Sequence, residues 1–204
     1  FLLPHDGKLV GRCYSLANSP DHSDQLEVAI APVKGGFATK VLFDLKIGDE
    51  LFFVGPQGKL TLEETNSVTH YVLVGTGTGI TPYRSMLPDI AKMLDKDKNL
   101  NVTVLMGTRR AEDLLYPEDF IKFSQKYDNS HFRAYLSRAE KLNTSYQYSG
   151  YVQSAFETLH LNQLTDMVYL CGNPHMVDDS INKLKTMGFK SQRIIREKYV
   201  SRGV

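Results

Sequence analysis

The chain has 204 residues, 42% of them apolar, which is enough for a packed core and, by the usual length relation, one large or two small domains. Lys and Arg number 24 against 23 Asp and Glu, so bulk charge calls for neither a nucleic acid nor an anionic membrane surface. Cys13 and Cys171 form no CxxC pair, and no two histidines have ligand spacing, so nothing points to a disulfide framework, a structural zinc or any other metal.

The longest apolar runs fall far short of the ~20 residues of a spanning helix, and no signal peptide pattern is present. The expectation is a soluble, cytoplasmic, monomeric protein. Phe1, Leu2 and Leu3 open the chain without an initiator Met and read as the middle of a strand, so part of the first domain is expected to precede them.

From residue 1 to 67 short alternating segments are broken by Gly, Pro, Asn and Asp, predicting strands over 12–16, 26–32 and 50–54. Phe37, Val41 and Leu45 recur at helical spacing, predicting a short helix over 36–44 that opens behind Gly35 and Gly36. Strands at such intervals predict a small antiparallel barrel. After residue 67 the rhythm changes, with continuous apolar runs at 72–75, 102–106, 132–136 and 167–171 that read as buried parallel strands. Helices are predicted over 82–94, 117–127, 152–158 and 174–187, three of them with Pro near the first turn. The second half, 68–204, is therefore expected to be a doubly wound α/β domain, with ligands at the carboxyl ends of its strands.

Three motifs carry chemistry. Gly75-Thr76-Gly77-Thr78-Gly79-Ile80-Thr81-Pro82 follows a strand and opens a helix, where glycine admits a phosphate close to the backbone and the helix start offers free N–H donors. It fits neither GxGxxG nor a Walker loop, and alone it also suits a mere tight connection. Cys171-Gly172-Asn173-Pro174 ends the last predicted parallel strand and would face the same crevice, although Cys171 by itself also reads as a small buried hydrophobe. Arg12-Cys13-Tyr14-Ser15 places a cation and an aromatic plate on one strand face, suited to a phosphate and a flat heterocycle, or simply to a half-exposed strand.

Together with Gly35-Gly36-Phe37-Ala38-Thr39, these motifs resemble the ferredoxin–NADP reductase family in order and spacing, and Arg109 to Tyr116 and Ser137-Arg138 resemble its bacterial-type members. The resemblance implies a flavin-dependent NAD(P)H oxidoreductase with FAD and NADP(H) as cofactors. Arg12 would contact the flavin phosphate, Tyr14 would stack on the isoalloxazine, and Ser15 would lie near its N5. Gly36, Phe37, Ala38 and Thr39 match the flavin pyrophosphate turn, while Gly77, Thr78 and Gly79 match the NADP pyrophosphate loop. Cys171 and Gly172 match positions beside the nicotinamide, with Ser15 and Cys171 as the catalytic pair.

Coenzyme choice is a separate question, since a 2′-phosphate calls for Arg and hydroxyl groups. Arg109 and Arg110 suit that need, Arg110 also reading as plain surface charge, and Ser137-Arg138 resemble the family's NADP-reading pair, so NADP is favoured. Tyr151 resembles the plant-type residue stacked on adenine, although Ser149 stands where those members have lysine. Tyr199 is either an aromatic lid over the flavin or the last core residue of a final strand. Many members of that family finish with an aromatic residue over the flavin, whereas here Val200 to Val204 follow Tyr199. Ferredoxin or flavodoxin is the implied partner; a module feeding an oxygenase, haem or iron–sulfur domain, and a non-enzymatic flavin or nucleotide sensor, are the alternatives.

Overall fold

A computed structural model of the chain describes residues 1–22, 24–65 and 67–200. In the N-terminal part β1 (Leu2–His5) and β2 (Lys8–Gly11) pair antiparallel, and α1 spans Phe37–Asp44. The segments predicted as strands over 12–16, 26–32 and 50–54 form no strand, and among the described residues they make single bridges, Leu16 with Val28 and Leu2 with Phe52. Period-two patterning sets which face a residue uses, but a strand also needs a continuous ladder partner, and these segments lack one among the described residues. Leu3, Ala38 and Leu42 form a small core there, with Tyr14 and Phe37 packed on it.

The rest is the expected α/β arrangement. β3 (His70–Thr76), α2 (Thr81–Lys96), β4 (Asn101–Thr108), α3 (Pro117–Lys126) and β5 (Ser130–Leu136) are followed by β6 (Gln147–Ser149), α4 (Ala155–Thr158), β7 (Asp166–Gly172), α5 (Pro174–Thr186) and β8 (Ile194–Lys198). The six strands from β3 onward are parallel in the order β6-β5-β4-β3-β7-β8. The chain reverses direction across the sheet at β3, where β4 lies on one side and β7 on the other, the switch point at which doubly wound sheets hold their ligands beyond the strands' carboxyl ends.

Alternation sorts the core. Tyr71, Leu73, Val104, Met106, Tyr169 and Cys171 point to the face covered by α2 and α3. Val72, Val74, Leu105, Val168 and Leu170 point to the opposite face, with Phe156, Val177 and Leu184. Both faces are buried, which is why these strands read as unbroken apolar runs. Cys171 therefore lies on the α2 side by parity alone. The linker is pinned to the same face: the Tyr71 hydroxyl donates to the Glu63 carbonyl at 2.7 Å, and the Glu63 N–H donates to the Tyr169 hydroxyl at 3.0 Å. Among the described residues no helix is long and apolar enough to cross a membrane.

Candidate active site

The two glycine-bearing loops touch. Gly77 to Ile80 form a single 3₁₀ turn between β3 and α2. A Cβ placed on Gly79 would stand 2.3 Å from the Cys171 carbonyl oxygen and 2.7 Å from the Gly172 Cα, so only glycine permits this approach. Gly172 has φ +121°, and a Cβ there would meet the Thr76 carbonyl at 2.5 Å. Thr76 locks the junction, because its hydroxyl accepts from the Asn173 N–H at 3.0 Å, while Asn173 caps α5 through the His175 N–H at 2.9 Å. Gly77 is left-handed at φ +53° with open space where a Cβ would be, leaving its backbone free to meet a ligand.

Tyr199 joins this loop pair to the N-terminal half. Its N–H donates to the Gly172 carbonyl at 2.8 Å, and its hydroxyl donates to Ser15 Oγ at 2.5 Å while lying against the Cys171 thiol. The two residues expected nearest the reacting atoms, from opposite halves of the chain, thus converge on one phenol. Tyr199 follows β8 and packs on the core, so it serves as last core residue and closes the crevice as well.

Burial pushes the Cys171 thiol up to about 12, with the Tyr199 hydroxyl opposing and Glu197 adding. It stays a neutral thiol at ordinary pH, which suits packing against a ring and argues against nucleophilic work. Burial also raises Tyr199 above the ordinary phenol value.

Glu197 carries no signal in the sequence that would mark it as part of the site. The register of β7 and β8 sets it opposite Cys171, and burial raises its carboxyl above the usual range. A raised carboxyl contributes stability that is fully present below the unfolded value and is lost as pH rises through the folded one. Glu197→Gln is therefore expected to match the wild-type melting temperature near pH 4 and to exceed it increasingly toward pH 8. Equal melting temperatures across that range would contradict the burial assigned to this carboxyl.

A second cluster suits an anion. The α1 start has Gly36 as its cap with no side-chain hydrogen bond, and its first-turn N–H groups have no partner among the described residues. The Arg12 guanidinium sits 4.6 Å from the Phe37 ring centre, beside that helix start, and the same ring stacks on His5 at 4.1 Å. Ala38 is packed in the small core, and the Thr39 hydroxyl turns back to the Gly36 carbonyl at 3.0 Å. Phe37, Ala38 and Thr39 thus offer backbone N–H groups there, and not their side chains. Tyr14 lies half-buried near Arg12, its hydroxyl pKa raised by burial and opposed by that cation. A cation beside an uncapped helix start, with a partly open phenol ring next to it, fits a flavin dinucleotide.

The third cluster runs along the carboxyl ends of β4, β5 and β6. The Ser137 and Arg138 N–H groups donate to the Thr108 and Arg109 carbonyls at 3.0 and 2.8 Å, and the Gly150 N–H donates to the Leu136 carbonyl at 3.1 Å. Arg109, Arg110, Ser137, Arg138 and Tyr151 are brought to neighbouring strand ends by these bonds. Tyr151 is 74% exposed, and Arg110 makes a loose 3.6 Å pair with Glu112. Cations, a hydroxyl and an open aromatic face fit an adenosine phosphate.

Comparison with known proteins assigns a family to both parts of the chain. Residues 1–62 match the family model of the oxidoreductase FAD-binding domain and 73–181 that of the oxidoreductase NAD-binding domain. The chain is 31% identical over 182 residues to ferredoxin–NADP reductase B of Sorangium cellulosum, covering 86% of this chain and 72% of that one. It is 34% identical over 185 residues to flavodoxin/ferredoxin–NADP reductase of Escherichia coli, with the same two coverages, 86% and 72%. The crystal structure of the Amycolatopsis cytochrome P-450 reductase GcoB superposes with a TM-score of 0.83 at 30% identity, over 98% of this chain and 59% of that one.

An FAD-binding part joined to a parallel-sheet NAD-binding part at such a crevice defines a flavin-dependent NAD(P)H oxidoreductase. Within that class the chain belongs to the ferredoxin–NADP reductase family.

Proposed function

We propose that the chain forms the two cofactor domains, residues 1–67 and 68–204, of a ferredoxin or flavodoxin–NADP(+) reductase. The observation that supports this reading is the meeting of Ser15 and Cys171, from opposite halves of the chain, at the Tyr199 hydroxyl. FAD supplies hydride acceptance from NADPH and delivery of electrons one at a time, so the protein needs no nucleophile of its own. Arg12 and the α1 start hold the flavin pyrophosphate, and Tyr14 covers the flavin ring. Gly77, Thr78 and Gly79 hold the coenzyme pyrophosphate, Cys171 and Gly172 pack on its nicotinamide, and Tyr199 keeps water from the crevice until the ring enters.

Arg110, Ser137 and Arg138 read the 2′-phosphate with Arg109 beside them, and Tyr151 stacks on the adenine. A second reading, a reductase feeding an oxygenase, haem or iron–sulfur domain, is supported by the likeness to the Amycolatopsis cytochrome P-450 reductase and to a terephthalate 1,2-dioxygenase reductase component of Comamonas. Turnover of NADPH with purified ferredoxin, flavodoxin or an oxygenase partner separates the two.

Coenzyme choice tests the third cluster. Hydrogen bonds to a charged partner contribute roughly 1.5–3 kcal/mol, so Arg138→Ala should lower kcat/KM for NADPH about 10-fold or more and leave NADH nearly unchanged. Equal loss with both coenzymes would mean that Arg138 reads a group common to the two.

A further inference from the structure

Arg84 lies on α2 one turn beyond the glycine loop and reaches back across the chain. Its Nε donates to Asp119 Oδ2 in α3 at 2.6 Å. One terminal nitrogen donates both to the Ala17 carbonyl at 2.8 Å and to Glu27 Oε2 at 3.0 Å. Glu27 is held in turn by the Tyr116 hydroxyl, which donates to Oε1 at 2.8 Å, and the Arg84 guanidinium lies 4.1 Å from the Tyr116 ring centre. The Ala17 N–H donates to the Glu27 carbonyl at 2.8 Å, so both acceptors belong to one local pairing of the N-terminal half.

Tyr116 is left-handed at φ 53°, an unusual conformation for a bulky residue, and it is held by this network. The Tyr116 hydrogen bond, then that of Arg84, keeps the Glu27 carboxyl below the usual carboxylate range.

The placement matters more than the number of bonds. Ala17 is two residues from Ser15, and α2 is continuous with the turn whose Gly79 touches Cys171. One guanidinium therefore spans from the flavin-side segment to the helix that carries the nicotinamide-side loop. A single exposed ion pair contributes little to stability. A planar fork with acceptors on three segments fixes direction as well as distance.

We infer that Arg84, with Glu27 and Tyr116, is a positioning residue that sets the separation of the two sides of the crevice for hydride transfer. The inference rests on the flavin reductase reading given above. Because a misplacement of 1 Å can cost on the order of 100-fold in rate, the clamp acts on the chemical step and leaves coenzyme affinity alone.

In the FAD-loaded protein mixed rapidly with NADPH, Arg84→Met is expected to lower the limiting rate of flavin reduction about 100-fold while the Kd for NADPH stays within about 2-fold. Arg84→Lys should recover part of that loss. Glu27→Gln and Tyr116→Phe should each cost on the order of 10-fold. The long-wavelength absorbance of the nicotinamide stacked on the flavin should weaken in the same order. Normal limiting rates in all four variants, or losses that merely follow the folded fraction in a thermal melt, would overturn the inference.

A second measurement does not depend on turnover. With spin labels at Lys8→Cys and Lys98→Cys in a Cys13→Ser background, the interlabel distance should broaden in Arg84→Met. An unchanged distance removes the clamp whatever the wild-type rate. A broadened distance in a protein that never reduces its flavin instead removes the reductase reading.

Discussion

Cys171→Ser is expected to lower the limiting rate of flavin reduction by NADPH by on the order of 100-fold, with KM for NADPH and the melting temperature nearly unchanged. The thiol is fully buried at the end of β7, on the face covered by α2, where the Tyr199 hydroxyl lies against it. Ser is nearly the same size, and that hydroxyl gives it a partner, so the substitution leaves no orphaned polar group. What changes is the soft contact against the nicotinamide and the distance it sets, an orientation effect on the chemical step. A purely structural Cys predicts a normal limiting rate, with kinetics altered only through any loss of folded protein. A destabilised variant that reduces its flavin at the normal rate would remove Cys171 from the site.

Gly79→Ala should damage stability and coenzyme binding together. Its Cβ would meet the Cys171 carbonyl oxygen at 2.3 Å, the Cys171 carbonyl carbon at 2.6 Å and the Gly172 Cα at 2.7 Å, all backbone atoms that no side-chain rotation can move. Overpacking of this kind costs roughly 1–3 kcal/mol and occasionally more. For a chain of this length each kcal/mol lowers Tm by about 2–4 °C. Relief by parting the loops would also misplace the coenzyme, so NADPH affinity and limiting rate should both fall while FAD affinity holds.

Gly77→Ala is the control. It is left-handed at φ +53° with nothing within 4 Å of an added Cβ, so in stability it should cost only the backbone strain of roughly 1–2 kcal/mol, and any loss of NADPH affinity reflects the methyl group on the ligand-facing loop. If the two variants behave alike, close approach of the loops is not what position 79 requires.

Much of this site is legible in the residues themselves. The four long parallel strands declare themselves because both faces of the sheet are covered, and α1 and the Pro-started helices follow from spacing and punctuation. The glycine loops can be placed because a strand, a glycine run and a helix start lie in succession. What the chain hides is pairing.

β6 has three residues, Gln147 to Ser149, too few and too polar to show a pattern. β8 follows Ile194 and Ile195 with charged residues at the sheet edge, so Glu197 looks like surface until its register places it opposite Cys171. Arg84 carries no local signal either, since its acceptors lie 67, 57 and 35 residues away. The barrel strands are the opposite case, with pattern present and ladder partners absent among the described residues.

The central claim is that this crevice joins a flavin to a nicotinamide coenzyme, and anaerobic rapid mixing of the FAD-loaded protein with NADPH tests it most directly. The flavin absorbance is expected to bleach in a single turnover, at a rate that saturates with NADPH and exceeds the rate with NADH. A protein that takes up FAD yet shows no bleaching with either coenzyme, or that binds no FAD, would contradict the account.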